Sequence, residues 1–444
     1  MKAREIAYNI LHDVFEKHAY VNISLNARLK GQDLKEMDKS FIKELVFGTI
    51  ERKYTLDFIL SFFIKKSPDI KTMTLLEMGL YQLMYMDKVP SYAAINESVS
   101  IVKKVLGANR ANFVNAVLRN YERKKGEIVF PDKSKNLKKY LKVTYSYPNW
   151  IVERLLNNYD GEITEGLLKS LNEKSEVCYR VNTLKVSVDK FKDILDSKGI
   201  SYKSGLYIDE ALYVDIKDVE NHELYKEGYI YVQDEASMLV SKVLRPEEGE
   251  FVLDVCAAPG GKTTHIGQLI ENKGEIIAFD IHPHRLELIK ENCERLGITN
   301  VKTEVFDATY VNEKYLEKAD KVLADVPCTG IGIIRKKPDI KLKDYTKKDI
   351  ENLNEIQYKI LQSSSQYVKK GGYLVYSTCT IGKEENQNVI NRFIKNNPNF
   401  EFVDITNEVP KSLKSDTLSY GYIQTTPLEH GIDGFFICKL KRIK

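Results

Sequence analysis

The chain has 444 residues, 43% of them apolar or aromatic, which is material for about three packed domains and excludes global disorder. No apolar run approaches the roughly 18 residues of a membrane span, the N-terminus has no uninterrupted signal-peptide core, and the six cysteines form no C-x-x-C pair, which disfavours a zinc site or a disulfide framework and points to a reduced cytoplasmic chain. The net charge of +4 hides an asymmetry, because Met1 to Lys142 carry 26 Lys and Arg against 16 Asp and Glu while the rest carry 41 against 47, so the basic front end suggests an anionic polymer, most simply nucleic acid.

In chain order, the front of the molecule reads as helices. Ile6, Ile10, Leu11, Val14 and Phe15 form a helical stripe, repeated by Phe41, Leu45, Val46 and Thr49 and by Leu75, Met78 and Leu83. "SYAAINESVSIVKKVLGANRANFVNAVLRNYERKK" holds two more helices broken near Gly107, and "KKGEIVFPDKSKNLKKY" loses periodicity and reads as a linker. From about Tyr145 the pattern mixes into a small α+β domain: a strand in "EVCYRVNTLK", a helix closed by Gly199, and "GYIYVQDEASMLVSKVL" as strand into helix. After Gly249 strands and helices alternate. "FVLDVC", "EIIAFD", "VKTEVF", "KVLADV" and "GYLVYS" are nearly continuous apolar runs, as expected of parallel strands buried on both faces. Pro283 suits the first turn of a helix, and Thr346 with Asp349 reads as a capping box. The C-terminal part is therefore a doubly wound α/β sheet, in which ligands sit at the carboxyl ends of the strands.

Most of the chemically loaded residues fall at those ends. "DVCAAPGGKTTH" (Asp254 to His265) is a strand, a small-residue turn and a helix start, where backbone N–H groups can approach a ligand closely. Its "CAAPGGKT" resembles a P-loop, but Cys256 stands where the first glycine belongs and Pro259 stiffens the loop. An acid ending the second strand, Asp280, favours a nucleoside cofactor whose ribose hydroxyls it accepts, and Asp307 ends the third strand within reach of an adenine amino group. A single strand-end Asp is usually a cap or turn, but Asp254, Asp280 and Asp307 surround one turn. S-adenosylmethionine fits best.

Cys178, Cys293 and Cys438 read as structural, whereas Cys328 in "LADVPCTGIG" and Cys379 in "GYLVYSTCT" each follow a strand of the same sheet. Methyl transfer to nitrogen or oxygen needs no thiol. Carbon 5 of a pyrimidine does, because a thiolate adding at carbon 6 makes carbon 5 an enamine-like nucleophile. A second thiol could help remove the carbon-5 hydrogen, and Asp325 would bind the cytosine edge and assist protonation of its ring nitrogen. Spacing leaves open which cysteine attacks.

Together "DVCAAPGGKTTH", "DVPCTGIG", "IRKKPDIK" and "YSTCT" resemble the Sun (Fmu/RsmB) branch of RNA cytosine-5 methyltransferases, and "AINESVSIVKK" with "ANFVNAVLRN" resembles the NusB RNA-binding domain of that branch. The resemblance implies a multidomain fold: an all-α NusB-like domain over 1–128, an α+β RNA-binding domain over 145–232 and a Rossmann-like methyltransferase domain over 233–444. It implies Cys379 as nucleophile, Cys328 as the thiol promoting release, and cofactor contacts from Cys256, Ala257, Ala258, Pro259, Gly260, Gly261, Lys262, Asp280, Asp307 and Asp325. Val326, Thr329 and Thr380 replace the family's commoner Ala, Ser and Ser, which are small changes. The expected function is S-adenosylmethionine-dependent formation of 5-methylcytosine in 16S ribosomal RNA, by a metal-free, membrane-free monomer. The alternatives are a tRNA substrate, a non-catalytic NusB-like RNA-binding factor, or a nucleoside triphosphatase.

Overall fold

A computed structural model describes residues 2–444. By its contacts the chain divides into two units, residues 1–173 with 334–345 and residues 174–333 with 346–444. The first unit is helical: α1 (Lys2–Lys17), α2 (Val21–Leu29), α3 (Glu36–Glu51), α4 (Lys53–Leu60), α5 (Ile70–Tyr85), α6 (Ser91–Leu106), α7 (Ala108–Lys124), α8 (Leu137–Tyr145), α9 (Asn149–Asn158) and α10 (Gly161–Ser170). The stripes predicted from periodicity make its core. Ile10, Leu11, Val14, Leu45, Val46, Leu75 and Met78 are buried, while Ile6, Phe15, Phe41 and Leu83 pack at the rim. Gly107 breaks α6 from α7 at a φ of 89°, which glycine adopts without the Cβ penalty. The expected linker is only partly irregular, because its "LKKY" opens α8, started by the Asn136 side chain accepting from the Lys139 N–H at 2.9 Å.

Residues 334–345 return to this unit from far along the sequence. The Tyr54 hydroxyl donates to the Lys341 carbonyl at 2.9 Å and the Trp150 indole N–H to the Lys343 carbonyl at 2.6 Å. The Lys341 ammonium is buried 3.9 Å above the Tyr147 ring and donates to Asn172 Oδ1 at 2.6 Å. Burial pulls its pKa down to about 7.

The second unit contains two sheets. The smaller is antiparallel in the order β2-β3-β1-β4, from β1 (Cys178–Val181), β2 (Tyr202–Ser204), β3 (Ala211–Val214) and β4 (Ile230–Val232), with α11 (Val188–Ser197) and α12 (Glu223–Lys226) between strands. Helix α13 (Glu235–Leu244) leads into the larger sheet: β5 (Phe251–Asp254), α14 (Gly261–Leu269), β6 (Glu275–Asp280), α15 (Pro283–Leu296), β7 (Val301–Val305), β8 (Ala319–Asp325), α16 (Lys347–Ser365), β9 (Val368–Thr378), α17 (Gln387–Asn396), β10 (Phe400–Phe402), β11 (Tyr422–Gln424), α18 (Pro427–His430) and β12 (Phe436–Arg442). The order is β10-β12-β9-β8-β5-β6-β7, with β11 also on β12. Strands β5 to β9 pair in parallel, and the crossover reverses direction between β5 and β8, where such sheets bind ligands.

The Thr346–Asp349 capping box and the Pro283 helix start are both present. Two expectations fail. Strand β7 is an edge strand, not one buried on both faces: Lys302 and Val305 are exposed, Val301, Thr303 and Glu304 are half-buried, and only a 3-10 turn at Glu313–Tyr315 links it to β8. The antiparallel β10, β11 and β12 extend a sheet that reads as purely parallel, because short strands between polar turns carry little periodicity.

Candidate active site

The turn after β5 is built to leave backbone exposed. Gly260 takes a φ of 98°, and a Cβ there would press on Ile289 at 3.3 Å. Next, Gly261 opens α14, whose first N–H groups have no intrahelical partner. Asp254 lies beneath this turn rather than facing it. It is buried, accepts from the Thr263 hydroxyl at 2.7 Å, and is pushed up to about 7 by burial. Cys256 is likewise inert as a nucleophile: burial, then the Asp254, Asp325 and Asp280 carboxylates, hold its thiol well above the ordinary range. Ala257 donates its N–H to the Phe279 carbonyl at 2.8 Å, pinning the turn to β6.

At the end of β6, Asp280 accepts from the His282 N–H at 3.0 Å and pairs with Arg285 at 3.2 Å, while Arg285 also donates to the Ala258 carbonyl at 2.8 Å. Arg285 thus fixes the acid against the turn. Asp307, past β7, accepts from the Thr309 N–H and hydroxyl at 2.9 and 2.8 Å through Oδ1, and its other oxygen takes no hydrogen bond among the described residues. Exposed Ile281 and Tyr310 follow these two acids. A row of carboxylates, flanking apolar side chains and a side-chain-poor turn fits a nucleoside with a free ribose diol. It does not fit a triphosphate, because Lys262, which a P-loop would aim at phosphates, is paired with Asp325 at 2.7 Å.

That pair begins the second half of the site. Asp325 ends β8 in register with Ser377 of β9, whose hydroxyl donates to Asp325 Oδ1 at 2.7 Å. Burial opposes the Lys262 charge, but Asp325 and, further off, Cys379 more than offset it, so Lys262 stays above the ordinary lysine value. Its ammonium also lies 5.2 Å from the Phe435 ring centroid. The two strand-end thiols meet, with Cys328 Sγ 3.1 Å from Cys379 Sγ. The hydrogen bond to Cys379, then burial, hold Cys328 protonated well above the usual thiol range. Either sulfur can donate in this contact.

A buried carboxyl group that the sequence gives no reason to select holds this arrangement. Glu385 accepts from the Thr329 N–H at 2.8 Å, the Thr329 hydroxyl at 2.5 Å and the Gln357 amide at 2.9 Å. The Thr329 hydroxyl also lies 3.0 Å from that of Thr380, so the residues following the two cysteines are joined directly, and Thr329 ties the pair to Glu385. Gly332 adds a third tie, donating to the Cys379 carbonyl at 3.1 Å and accepting from Gly434 at 2.9 Å. A Cβ on Gly332 would meet the Gly434 carbonyl at 1.9 Å, so only glycine fits. Arg180 of β1 is also absent from the sequence reading. It is buried and donates to the Gly261 carbonyl at 2.7 Å and the Thr264 hydroxyl at 3.0 Å, bracing the glycine-rich turn from the smaller sheet. Its one advance signal is a lone arginine inside an apolar strand, "CYRV".

Comparison with known proteins places three family profiles on the chain: "NusB family" over residues 1–123, "Methyltr_RsmF/B-like, ferredoxin-like domain" over 147–219, and "16S rRNA methyltransferase RsmB/F" over 241–441. The chain is 37% identical over 445 residues to the probable ribosomal RNA small subunit methyltransferase B of Bacillus subtilis, covering 99% of this chain and 98% of that one. It is 32% identical to the probable counterpart from Synechocystis, covering 100% of both. Among solved structures, PH0851 superposes with a TM-score of 0.81 at 28% identity, covering 98% of this chain and 97% of that one. NSun6 from Pyrococcus horikoshii with SFG superposes with a TM-score of 0.60 at 27% identity, covering 68% of this chain and 99% of that one.

Proposed function

The chain belongs to the ribosomal RNA small subunit methyltransferase B family, and from that premise we propose that it methylates carbon 5 of a cytosine in 16S ribosomal RNA through a covalent bond to Cys379. S-adenosylmethionine is the cofactor, and when bound it supplies the electrophilic methyl group. On this reading the segment Cys256 to Lys262 and Asp325 line its site, Asp280 accepts from the ribose hydroxyls and Asp307 from the adenine amino group.

The observation that carries the proposal is the 3.1 Å approach of two thiols beside the Lys262–Asp325 pair. Cys379 sulfur bonds to carbon 6, and the proton it gives up ends on ring nitrogen 3, where Asp325 accepts a hydrogen bond from it. Carbon 5 then carries the electron density that takes the methyl group. For release, Cys328 gives its proton to solvent and, as a thiolate, takes the carbon-5 proton. The carbon–sulfur bond breaks, the proton on nitrogen 3 passes to the departing Cys379 sulfur, and both thiols are restored. The 3.1 Å contact puts Cys328 beside the bond that Cys379 forms, and that contact and burial raise its thiol pKa, so its thiolate is a strong base for the carbon-5 proton; Cys379 as the nucleophile rests on the family resemblance.

The test is methylation of 16S ribosomal RNA with isotopically labelled S-adenosylmethionine, followed by nucleoside mass spectrometry. Label in 5-methylcytosine is the expected result, and label confined to another nucleoside overturns the proposal. Labelled transfer RNA with unlabelled ribosomal RNA overturns the substrate assignment alone.

A further inference from the structure

Beside the expected linker, the first unit contains a cleft that the chemistry above does not use. It encloses about 610 Å³, within the roughly 300–1,000 Å³ typical of ligand sites, and is lined by Tyr54, Phe58, Lys139 and Lys142 among others. The Lys139 ammonium lies 5.8 Å from the Phe58 ring centroid and Lys142 5.7 Å from that of Tyr54. Among the described residues neither ammonium has a carboxylate partner. The cleft's other charges are neutralised, Asp57 by Lys53 at 2.9 Å and Lys138 by Glu153.

The aromatic wall continues outward. Phe62 packs edge-on against Phe58 at 5.2 Å and Phe130 lies 5.7 Å from the same ring, yet Phe62 and Phe130 are 49% and 45% exposed. Water-facing phenylalanines beside two unneutralised ammonium groups have no use in a helical core. They match what a single RNA strand needs, ring faces for unpaired bases and cations for its phosphates. A protein partner would be expected to bring carboxylates to the lysines but would leave the ring ladder without a specific role.

We propose that the cleft between α4 and α8, with the exposed Phe62 and Phe130 rings beside its Phe58 wall, is a binding site for single-stranded RNA, holding substrate away from the methylated base. This rests on the RNA-methyltransferase reading above. Tyr54 serves twice, as a wall of the cleft and as the donor to the Lys341 carbonyl, so the cleft borders the segment that follows the Cys328 loop in sequence.

The experiment titrates the full-length protein against a fluorescent single-stranded polypyrimidine RNA and a fully paired RNA hairpin, at several potassium chloride concentrations. Lys139→Gln with Lys142→Gln should lower the single-strand salt slope by about 1.4, at roughly 0.7 per phosphate contact. Phe62→Leu with Phe130→Leu should weaken single-strand binding about tenfold and leave the slope and the hairpin affinity unchanged. All four side chains are at least partly exposed, and unchanged S-adenosylmethionine affinity with an unchanged melting temperature verifies the fold of each variant. An unaltered slope in the lysine variant, or equal aromatic losses on both probes, overturns the cleft while methylation by the wild type upholds the activity. Wild-type protein that neither binds nor methylates RNA overturns both. Variants that bind RNA normally but lose a co-purifying protein would reassign the cleft to that protein.

Discussion

Replacing Glu385 with Ala should uncouple the two thiols without touching either. The substitution strands at least two buried donors, the Thr329 N–H and one Gln357 N–H, while the Thr329 hydroxyl can still turn to Thr380. At roughly 1–3 kcal/mol per unsatisfied buried group, the local cost is about 2–6 kcal/mol. The loop can recover part of that by shifting, and the shift moves Cys328 away from its 3.1 Å contact with Cys379. A displacement of about 1 Å costs on the order of a hundredfold in rate. Steady-state kinetics on 16S ribosomal RNA should show kcat down by about that factor. The KM for S-adenosylmethionine should hold, since Asp280 and the glycine-rich turn do not contact Glu385. Glu385→Gln, which keeps the shape and one acceptor oxygen, should fall between. Two results would refute the reasoning: a folded Glu385→Ala enzyme with kcat within about twofold of wild type, or equal losses of stability, kcat and cofactor affinity, which would make the carboxyl group a fold element only.

Lys262→Met removes the partner 2.7 Å from Asp325 and should lower kcat about a hundredfold or more, seen in single-turnover methylation. Asp280→Ala should weaken S-adenosylmethionine binding about tenfold in calorimetry, through lost charge-assisted hydrogen bonds worth roughly 1.5–3 kcal/mol. His265 is buried, with its Nε2 3.0 Å from Glu210, and burial pulls its pKa down to about 4. The unfolded chain therefore binds the extra proton first, and the histidine's contribution to stability is lost as pH falls from about 6.5 toward 4, by up to about 3 kcal/mol. Asp254, raised to about 7, works in the opposite direction over the same range, so the effect should be read as the difference between wild type and His265→Gln in urea unfolding at pH 6.5 and 5. A difference that does not change between those two pH values would contradict the assignment.

What was legible in the sequence is what strand ends and helical stripes announce. Asp280, Asp307, Asp325, Cys328 and Cys379 each close an apolar run or follow one closely, and the parallel sheet brings such ends to one edge whatever the loops do. Hidden from the sequence were contacts between residues far apart along the chain. Glu385 sits in "GKEENQN", a polar run that reads as a solvated turn, and only the return of that turn beneath the Cys328 loop buries it. Lys341 looks like one more surface lysine in "PDIKLKDY", yet Tyr147 and Asn172 enclose it in the helical unit. Helix α8 was obscured by the Gly, Pro and lysine run preceding it. The C-terminal strands were obscured by their length of three residues in β10 and β11 and by their antiparallel pairing to β12. Lys262 was visible as part of a binding turn, but its commitment to Asp325 is a fact of sheet order, since β5 and β8 are sequence-distant neighbours.

The division of labour between the two cysteines is the centre of the account, and one denaturing gel tests it. Wild type, Cys328→Ala and Cys379→Ala are each incubated with S-adenosylmethionine and labelled 16S ribosomal RNA, then resolved without reducing the RNA in size. Cys328→Ala should attack and methylate but fail to release, leaving a slow protein–RNA band that contains 5-methylcytosine. Cys379→Ala should give neither band nor product. An adduct from Cys379→Ala and none from Cys328→Ala would assign the attack to Cys328, and methylation by both variants without any adduct would contradict a covalent mechanism altogether.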